Sequence, residues 1–516
     1  MTLARSIATV GGLTMVSRVL GFARDILIAN FLGAGMVADA FFVAFRFPNL
    51  FRRLFAEGAF SAAFVPIFSG LVETEGLEKA RQFANQAFSV LVFVVVVFVA
   101  LIEIAMPWAI YGLAPGFDAT PGKMELATEL SRIAFPYLAL ISLVSLQSGV
   151  LNSLGRFAAA AAAPTLLNVT LITAIVGLTP LTETAGHALA WGVAAAGVVQ
   201  FVWLAIHCRR AGVPVSMVRP RLGPKVKLLG RRILPVVFGA SAYQINLLIG
   251  TILASLISDG AVSFLYYADR IVQLPLGVVG VAVGTALLPT LSRQIKGGNV
   301  QAAEHSMNRG LELALLLTLP AAVALALIPA PIVSVLFQRG AFTAADGAAT
   351  AAALTVFATG LPAYVLIKVL APGFFAREDT ATPVRVAAWA MAANIVLNVI
   401  FMQFFGHVGI ALGASLSAWL NAGWLAWLLR RRGFLTIDAR LSRRVPRALL
   451  ASAVMGVAIA LGAWALAGPL AGAFPSRILA LAGLIAGGLA VFTAAAALTG
   501  ATALDDVKRL VRRDPA

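Results

Sequence analysis

Between Ser17 and Glu57 the sequence reads SRVLGFARDILIANFLGAGMVADAFFVAFRFPNLFRRLFAE, apolar enough for a bilayer except at Arg18, Arg24, Asp25, Asp39, Arg46, Arg52, Arg53 and Glu57. An ionisable group in hydrocarbon is costly unless it faces water, a partner or a ligand. The stretch therefore requires a polar interior within the membrane. A guanidinium stays charged and presents a fork that binds phosphate oxygens two at a time. Several arginines around one low-dielectric cavity make a site for a multiply charged anion such as pyrophosphate.

Helical spacing sorts these residues. Asp39, Arg46, Arg53 and Glu57 are 7, 7 and 4 residues apart and share one helix face. Ser17, Gly21 and Arg24 share a face of the preceding helix, with Arg18 beside Gly21. In the second half of the chain Asp269 and Arg270 interrupt one apolar helix and Lys368 another. The set Arg18, Arg24, Arg52 and Arg270 is the expected anion clamp, because burying four such groups is too costly for packing alone. Plainer roles compete for the others. Arg52 and Arg53 can snorkel to an interface, and Arg53 can pair with Glu57. Asp25, Asp39 and Asp269 are expected to orient arginines, and Glu103 and Arg132 to reach the interface. Asn394 and Asn398, four apart, could offer amide oxygens to a cation, but interhelical hydrogen bonding is favoured without a carboxylate beside them. The FFVAF run at 41–45 reads as packing.

The elements that position these groups are membrane helices. The 516 residues are 60% hydrophobic and 12% charged, against about 25% charged in soluble domains. Apolar windows of the roughly 20 residues that cross a bilayer recur along nearly the whole chain. About fourteen segments are expected, near 5–32, 36–69, 83–111, 124–155, 158–179, 186–207, 231–257, 262–292, 307–337, 345–375, 383–405, 408–429, 445–467 and 477–500. The run after Arg5 continues into charged residues without a cleavage site and reads as a retained first helix. The single cysteine, Cys208, excludes an intramolecular disulfide framework, and the four histidines show no ligand spacing, so neither metal nor cofactor is expected.

The net charge of +17 lies mainly in short loops and reads as retention beside anionic lipid rather than nucleic-acid binding. The loops 208–232 and 430–447 and the tail from Lys508 hold most of it, whereas 180–186, 258–261 and 406–408 lack Lys and Arg. With an even number of spans, the basic loops and both termini fall on the cytoplasmic side. A weak repeat relates the halves: Pro66 to Pro289, Arg46 to Arg270, Arg156 to Arg377 and Pro164 to Pro383, at offsets of 223, 224, 221 and 219. The expected organisation is an N-lobe at 1–208, a basic linker at 209–230, a C-lobe at 231–432, and two further helices with a basic tail at 433–516. Repeated halves around a midplane site are a transporter architecture.

The pattern S-R-x-L-G-x-x-R-D at 17–25, A-D-A-F at 38–41 and R-x-P-N-x-x-R-R-L-x-x-E-G-A at 46–59 resembles the MurJ (MviN) lipid II flippase family. Y-Y-A-D-R at 266–270, K-V-L-A-P-G-F at 368–374 and Thr-Pro at 382–383 extend the likeness over the second half. That family belongs to the multidrug/oligosaccharidyl-lipid/polysaccharide exporter superfamily. The resemblance implies an all-α polytopic protein with two six-helix lobes in a V shape plus two C-terminal helices. It implies movement of lipid II, the undecaprenyl-pyrophosphate-linked disaccharide-pentapeptide, from the inner to the outer leaflet of the bacterial cytoplasmic membrane by alternating access. The family's essential cavity arginines match Arg18, Arg24, Arg52 and Arg270, and Asp39 matches a further important position; Ser17, Arg53 and Glu57 join the substrate-binding set. Some members carry carboxylates at a sodium site where Asn394 and Asn398 stand here, so membrane potential is the alternative drive. The cell-wall synthesis machinery and membrane lipids are the expected partners.

Two other classes compete. An exporter of another lipid-linked oligosaccharide or of a drug shares the architecture, but a site for organic cations favours acidic residues. A membrane enzyme on polyprenyl phosphates, or a scaffold for cell-wall synthesis, is a different class. An enzyme needs a paired-carboxylate metal site or an acid/base set, and adjacent Asp505 and Asp506 do not share a helix face.

Overall fold

A computed structural model describes residues 3–52 and 59–502. Among the described residues every regular element is helical. The chain packs as two compact units, Met1–Ser263 with Gly340–Phe342, and Phe264–Arg339 with Thr343–Ala516.

The first unit contains α1 (Leu3–Leu32), α2 (Met36–Phe51), α3 (Ala59–Thr74), α4 (Leu77–Ile104), α5 (Met106–Leu113), α6 (Lys123–Ala134), α7 (Tyr137–Ser153), α8 (Phe157–Leu178), α9 (Ala185–Arg210) and α10 (Pro224–Ser255). α11 (Ala261–Pro275) begins in the first unit and belongs to the second from Phe264; the second unit continues with α12 (Val281–Lys296), α13 (Val300–Leu327), α14 (Pro329–Phe337), α15 (Ala344–Phe375), α16 (Ala381–Phe405) and α17 (His407–Arg431). It ends with α18 (Ala439–Ala465), α19 (Ala467–Ala471) and α20 (Phe474–Thr499).

Ten helical stretches among the described residues are long and apolar enough to cross a membrane. They overlap the expected segments at 83–111, 124–155, 158–179, 186–207, 307–337, 345–375, 383–405, 408–429, 445–467 and 477–500, two of which end early: the spans Leu77–Ile104 and Val300–Leu327 are followed by the separate short helices α5 and α14. The described residues of the other four expected segments are mostly helical as well: α1, α2 with α3, α10, and α11 with α12. A π-helical turn at Leu276–Gly280 follows Pro275 and interrupts the last of these. Proline removes one backbone donor there, and interrupted backbone at membrane depth persists only where protein or a wet cavity satisfies it.

Packing relies on small residues, since lipid tails give helices no hydrophobic reason to associate. A Cβ at Gly192 of α9 would lie 2.6 Å from the Ala174 Cβ of α8, and one at Gly409 would lie 2.3 Å from the Phe401 carbonyl oxygen. Aromatic rings fill the first unit's core: Phe47 stacks on Phe135 at 4.9 Å, and Phe64 on Phe68 at 5.5 Å. Phe41 and Phe42 are buried, so most of the FFVAF run packs as expected.

Two connections are pinned by polar contacts. The linker after α9 lies on α4, where Asn85 Oδ1 accepts the Ser216 N–H at 2.9 Å and Ser89 Oγ accepts that of Val218 at 2.8 Å. Residues Gly340–Phe342 belong to the first unit because the Ala341 N–H donates to the Asn30 carbonyl at 2.8 Å. Gly33 (φ +65°) and Gly340 (φ +55°) permit that approach; a Cβ at either would lie within 2.4 Å of a carbonyl oxygen.

Candidate functional site

A chain of contacts surrounds Arg24 in the predicted site. This α1 side chain is 7% exposed. Its Nε and Nη2 donate to Asp25 Oδ1 at 3.1 and 2.7 Å, and its Nη1 donates to Asn168 Oδ1 of α8 at 3.0 Å. Asn168 Nδ2 in turn donates to the Ser17 carbonyl at 2.9 Å and to Ser17 Oγ at 3.3 Å. An amide suits this position, since its oxygen accepts from the guanidinium while its nitrogen donates to Ser17. The Phe45 ring of α2 lies 5.9 Å from Arg24 Cζ, a cation–π contact that adds a third helix to the support. Asp25 thus orients an arginine and offsets its charge in a buried setting.

The neighbouring arginines are held differently. Arg18 is exposed and makes no hydrogen bond or ion pair with the described residues. Arg52 is half-buried, and its Nε donates to Asn49 Oδ1 at 2.9 Å, while Asn49 Nδ2 donates to the Phe45 carbonyl at 2.9 Å. Arg46 Nη1 donates to Thr251 Oγ1 of α10. Arg53 and Glu57 lie outside the described residues.

Asp39 is fully buried and pairs with Lys123 rather than an arginine. Lys123 Nζ lies 2.8 Å from Asp39 Oδ2, which also accepts the Gly260 N–H at 2.8 Å. The other oxygen accepts the Ser263 N–H at 2.9 Å and its hydroxyl at 2.6 Å. Lys123 also reaches Asp259 at 2.6 Å and stands 4.2 Å from the Phe117 ring centroid. Its hydrogen bond holds the Asp259 carboxyl, in the loop after α10, below the usual range. Asp39 therefore ties α2, α6 and the α10–α11 turn together. Sequence reasoning passed over Lys123, which stands at the edge of an expected segment, yet it is 2% exposed.

In the second unit Arg270 is half-buried on α11, next to Asp269, which accepts a hydrogen bond from Gln273 Nε2. Lys368 of α15 is exposed, and its stem lies over Gly280, where a Cβ would sit 2.7 Å from Lys368 Cδ. Asn398 Nδ2 donates to Asn394 Oδ1 at 3.1 Å, so the two amides bind each other. Among the described residues no cluster of three His, Cys, Asp or Glu could hold a metal ion.

The chain matches the family model for lipid II flippase MurJ over residues 28–473. It is 45% identical to a probable lipid II flippase MurJ of Rhizobium meliloti (strain 1021), covering 99% of this chain and 97% of that one. Its fold matches a solved lipid II flippase MurJ in an inward closed conformation with a TM-score of 0.80 at 23% identity, covering 98% of this chain and 99% of that chain. An inward-facing MATE-family multidrug transporter of the MOP superfamily matches with a TM-score of 0.67 at 17% identity, over 82% of this chain and 97% of that one.

Proposed function

This chain belongs to the lipid II flippase MurJ family, and we propose that it carries lipid II across the bacterial inner membrane, from the inner to the outer leaflet, by alternating access of its two repeated halves. It is a multi-pass membrane protein and a transporter; we read it as having no catalytic step of its own. The observation that carries the reading is family membership over nearly the whole chain, joined to a buried guanidinium pre-oriented by Asp25 and Asn168.

In this reading Arg24, Arg18 and Arg52, with Arg270 from the other half, bind the pyrophosphate of the substrate. Ser17 supports Arg24 through Asn168, and Asp39 positions the α2 that bears Arg52. Arg53 and Glu57 join the set by helix-face arithmetic. Phosphate is suited to this set because each fork supplies paired donors to an anion carrying more than one charge. The Asn394–Asn398 pair is assigned to helix packing, and the membrane potential, worth about 2.3 kcal/mol per charge per 100 mV, to the drive. Both termini are assigned to the cytoplasmic side from the basic loops, and the cell-wall synthesis machinery is the expected partner.

The test is complementation of a strain depleted of its own flippase, with labelled lipid II followed in the outer leaflet. Single changes of Arg18, Arg24, Arg52 or Arg270 to Ala are expected to fail despite normal membrane levels. Full function with all four replaced would sink the site assignment. Metal-dependent turnover of a polyprenyl phosphate by the purified protein would contradict the transporter-only reading.

A further inference from the structure

Asn49 is a neutral amide in an otherwise apolar and basic run, FRFPNLFRR at 45–53. Inside a helix an asparagine competes with the backbone for hydrogen bonds, so its side chain needs partners of its own. We propose that Asn49 is a positioning residue of the anion clamp. It fixes the Arg52 guanidinium on the side of α2 that also supports Arg24, so that the two arginines take a diphosphate in preference to a monophosphate. This deepens the assignment of Arg24 and Arg52 to the pyrophosphate and rests on it.

The amide is used at both ends. Asn49 Oδ1 accepts Arg52 Nε at 2.9 Å, and Asn49 Nδ2 donates to the Phe45 carbonyl at 2.9 Å. Its orientation is unambiguous, because a guanidinium only donates and a carbonyl only accepts. Pro48 stands one residue earlier inside the helix, where a proline lacks a backbone donor and crowds the carbonyl four residues back. The Asn49 bond to Phe45 braces the turn that the proline weakens. Arg52 caps this end of α2, its N–H directed at the Asn49 and Pro48 carbonyls. A guanidinium hung from a terminal turn keeps one orientation when a side chain holds it.

Phe45, Asn49 and Arg52 are spaced i, i+4, i+7 and lie along one side of α2. The Phe45 ring is 5.9 Å from Arg24 Cζ and stacks at 5.7 Å on the fully buried Phe41. Phe45 is thus a common support: its ring backs Arg24, and its carbonyl anchors the amide that holds Arg52. Arg24 is fixed by Asp25 and Asn168, and Asn49 does the same for Arg52 without adding a negative charge.

A guanidinium binds phosphate best when two parallel N–H groups meet two oxygens, which requires the plane of the fork to be set. A fork oriented beforehand loses less freedom on binding. Each held fork serves one phosphoryl group. A diphosphate engages both arginines, whereas a monophosphate engages one, so loosening Arg52 falls on the second phosphoryl group.

The test is the affinity of the purified full chain in detergent for undecaprenyl pyrophosphate and for undecaprenyl phosphate, by microscale thermophoresis. The unaltered chain is expected to bind the diphosphate several-fold tighter. Equal affinity would overturn the proposal, and that arm needs no variant to fold. Asn49→Ala should weaken the diphosphate several-fold and leave the monophosphate nearly unchanged; equal losses on both lipids, the mark of a merely structural residue, would overturn it. Asn49→Ala in an Arg52→Ala chain should cost nothing beyond Arg52→Ala alone, since the amide acts through that arginine. A further loss would overturn the proposal as well. Unchanged diphosphate binding by Arg52→Ala would instead sink the clamp assignment itself, whereas a loss there with none in Asn49→Ala sinks this inference alone.

Discussion

Lys123 Nζ lies 2.8 Å from Asp39 Oδ2, with the two side chains 2% and 0% exposed. The ammonium comes from α6 and the carboxylate from α2, 84 residues apart. Breaking a buried pair by removing one partner typically costs about 3–5 kcal/mol, because the other charge stays buried. Lys123→Met and Asp39→Ala are both expected to lower the melting temperature in detergent. Asp39→Ala should cost more, since it also strands Gly260 and Ser263. Melting curves matching the unaltered chain would contradict this.

Arg24 should not tolerate lysine. Its fork is what binds, with Nε and Nη2 on Asp25 and Nη1 on Asn168. An ammonium on a flexible stem cannot reproduce that geometry. Arg24→Lys is expected to abolish complementation at normal membrane levels. Asn168→Leu should reduce lipid II export without removing a charge. Wild-type export by both variants would show that guanidinium orientation is irrelevant.

Gly413 of α17 is a packing requirement. A Cβ there would lie 2.2 Å from Asn398 Oδ1 and 3.0 Å from the Asn398 nitrogen. Overpacking of this kind typically costs about 1–3 kcal/mol. Gly413→Ala should lower the melting temperature, and Asn398→Ala in the same chain should restore part of the loss. Simple additivity of the two changes would argue against direct contact.

Asp379, in the loop after α15, links that loop to the end of α17. Hydrogen bonds from the Thr382 hydroxyl and N–H, and then Arg432, hold its carboxyl down at about 2, below the ordinary 3.8. A carboxyl depressed in the folded state stabilises fully above its unfolded value, and that contribution fades as pH falls through the folded one. Asp379→Asn is therefore expected to melt lower than the unaltered chain at pH 6, with the gap narrowing by pH 3. A gap independent of pH would exclude the linkage.

The helical membrane architecture and the arginine clusters were legible in the sequence. Both follow from local rules: the length of apolar runs, and the period of a helix that puts Ser17, Gly21 and Arg24 on one side. The partners were not legible. Asn168 meets Arg24 across 144 residues, and Gly260 meets Asp39 across 221. No local spacing encodes such a distance; helix packing decides it. Lys123 shows the point most clearly. By composition it marks the edge of a segment, yet the fold places a carboxylate on either side of its ammonium. The sequence alone determined that charge must be sheltered within the membrane. Tertiary structure decided which charges shelter one another, because a buried ion pair depends on the approach of two helices and not on the residues along either one.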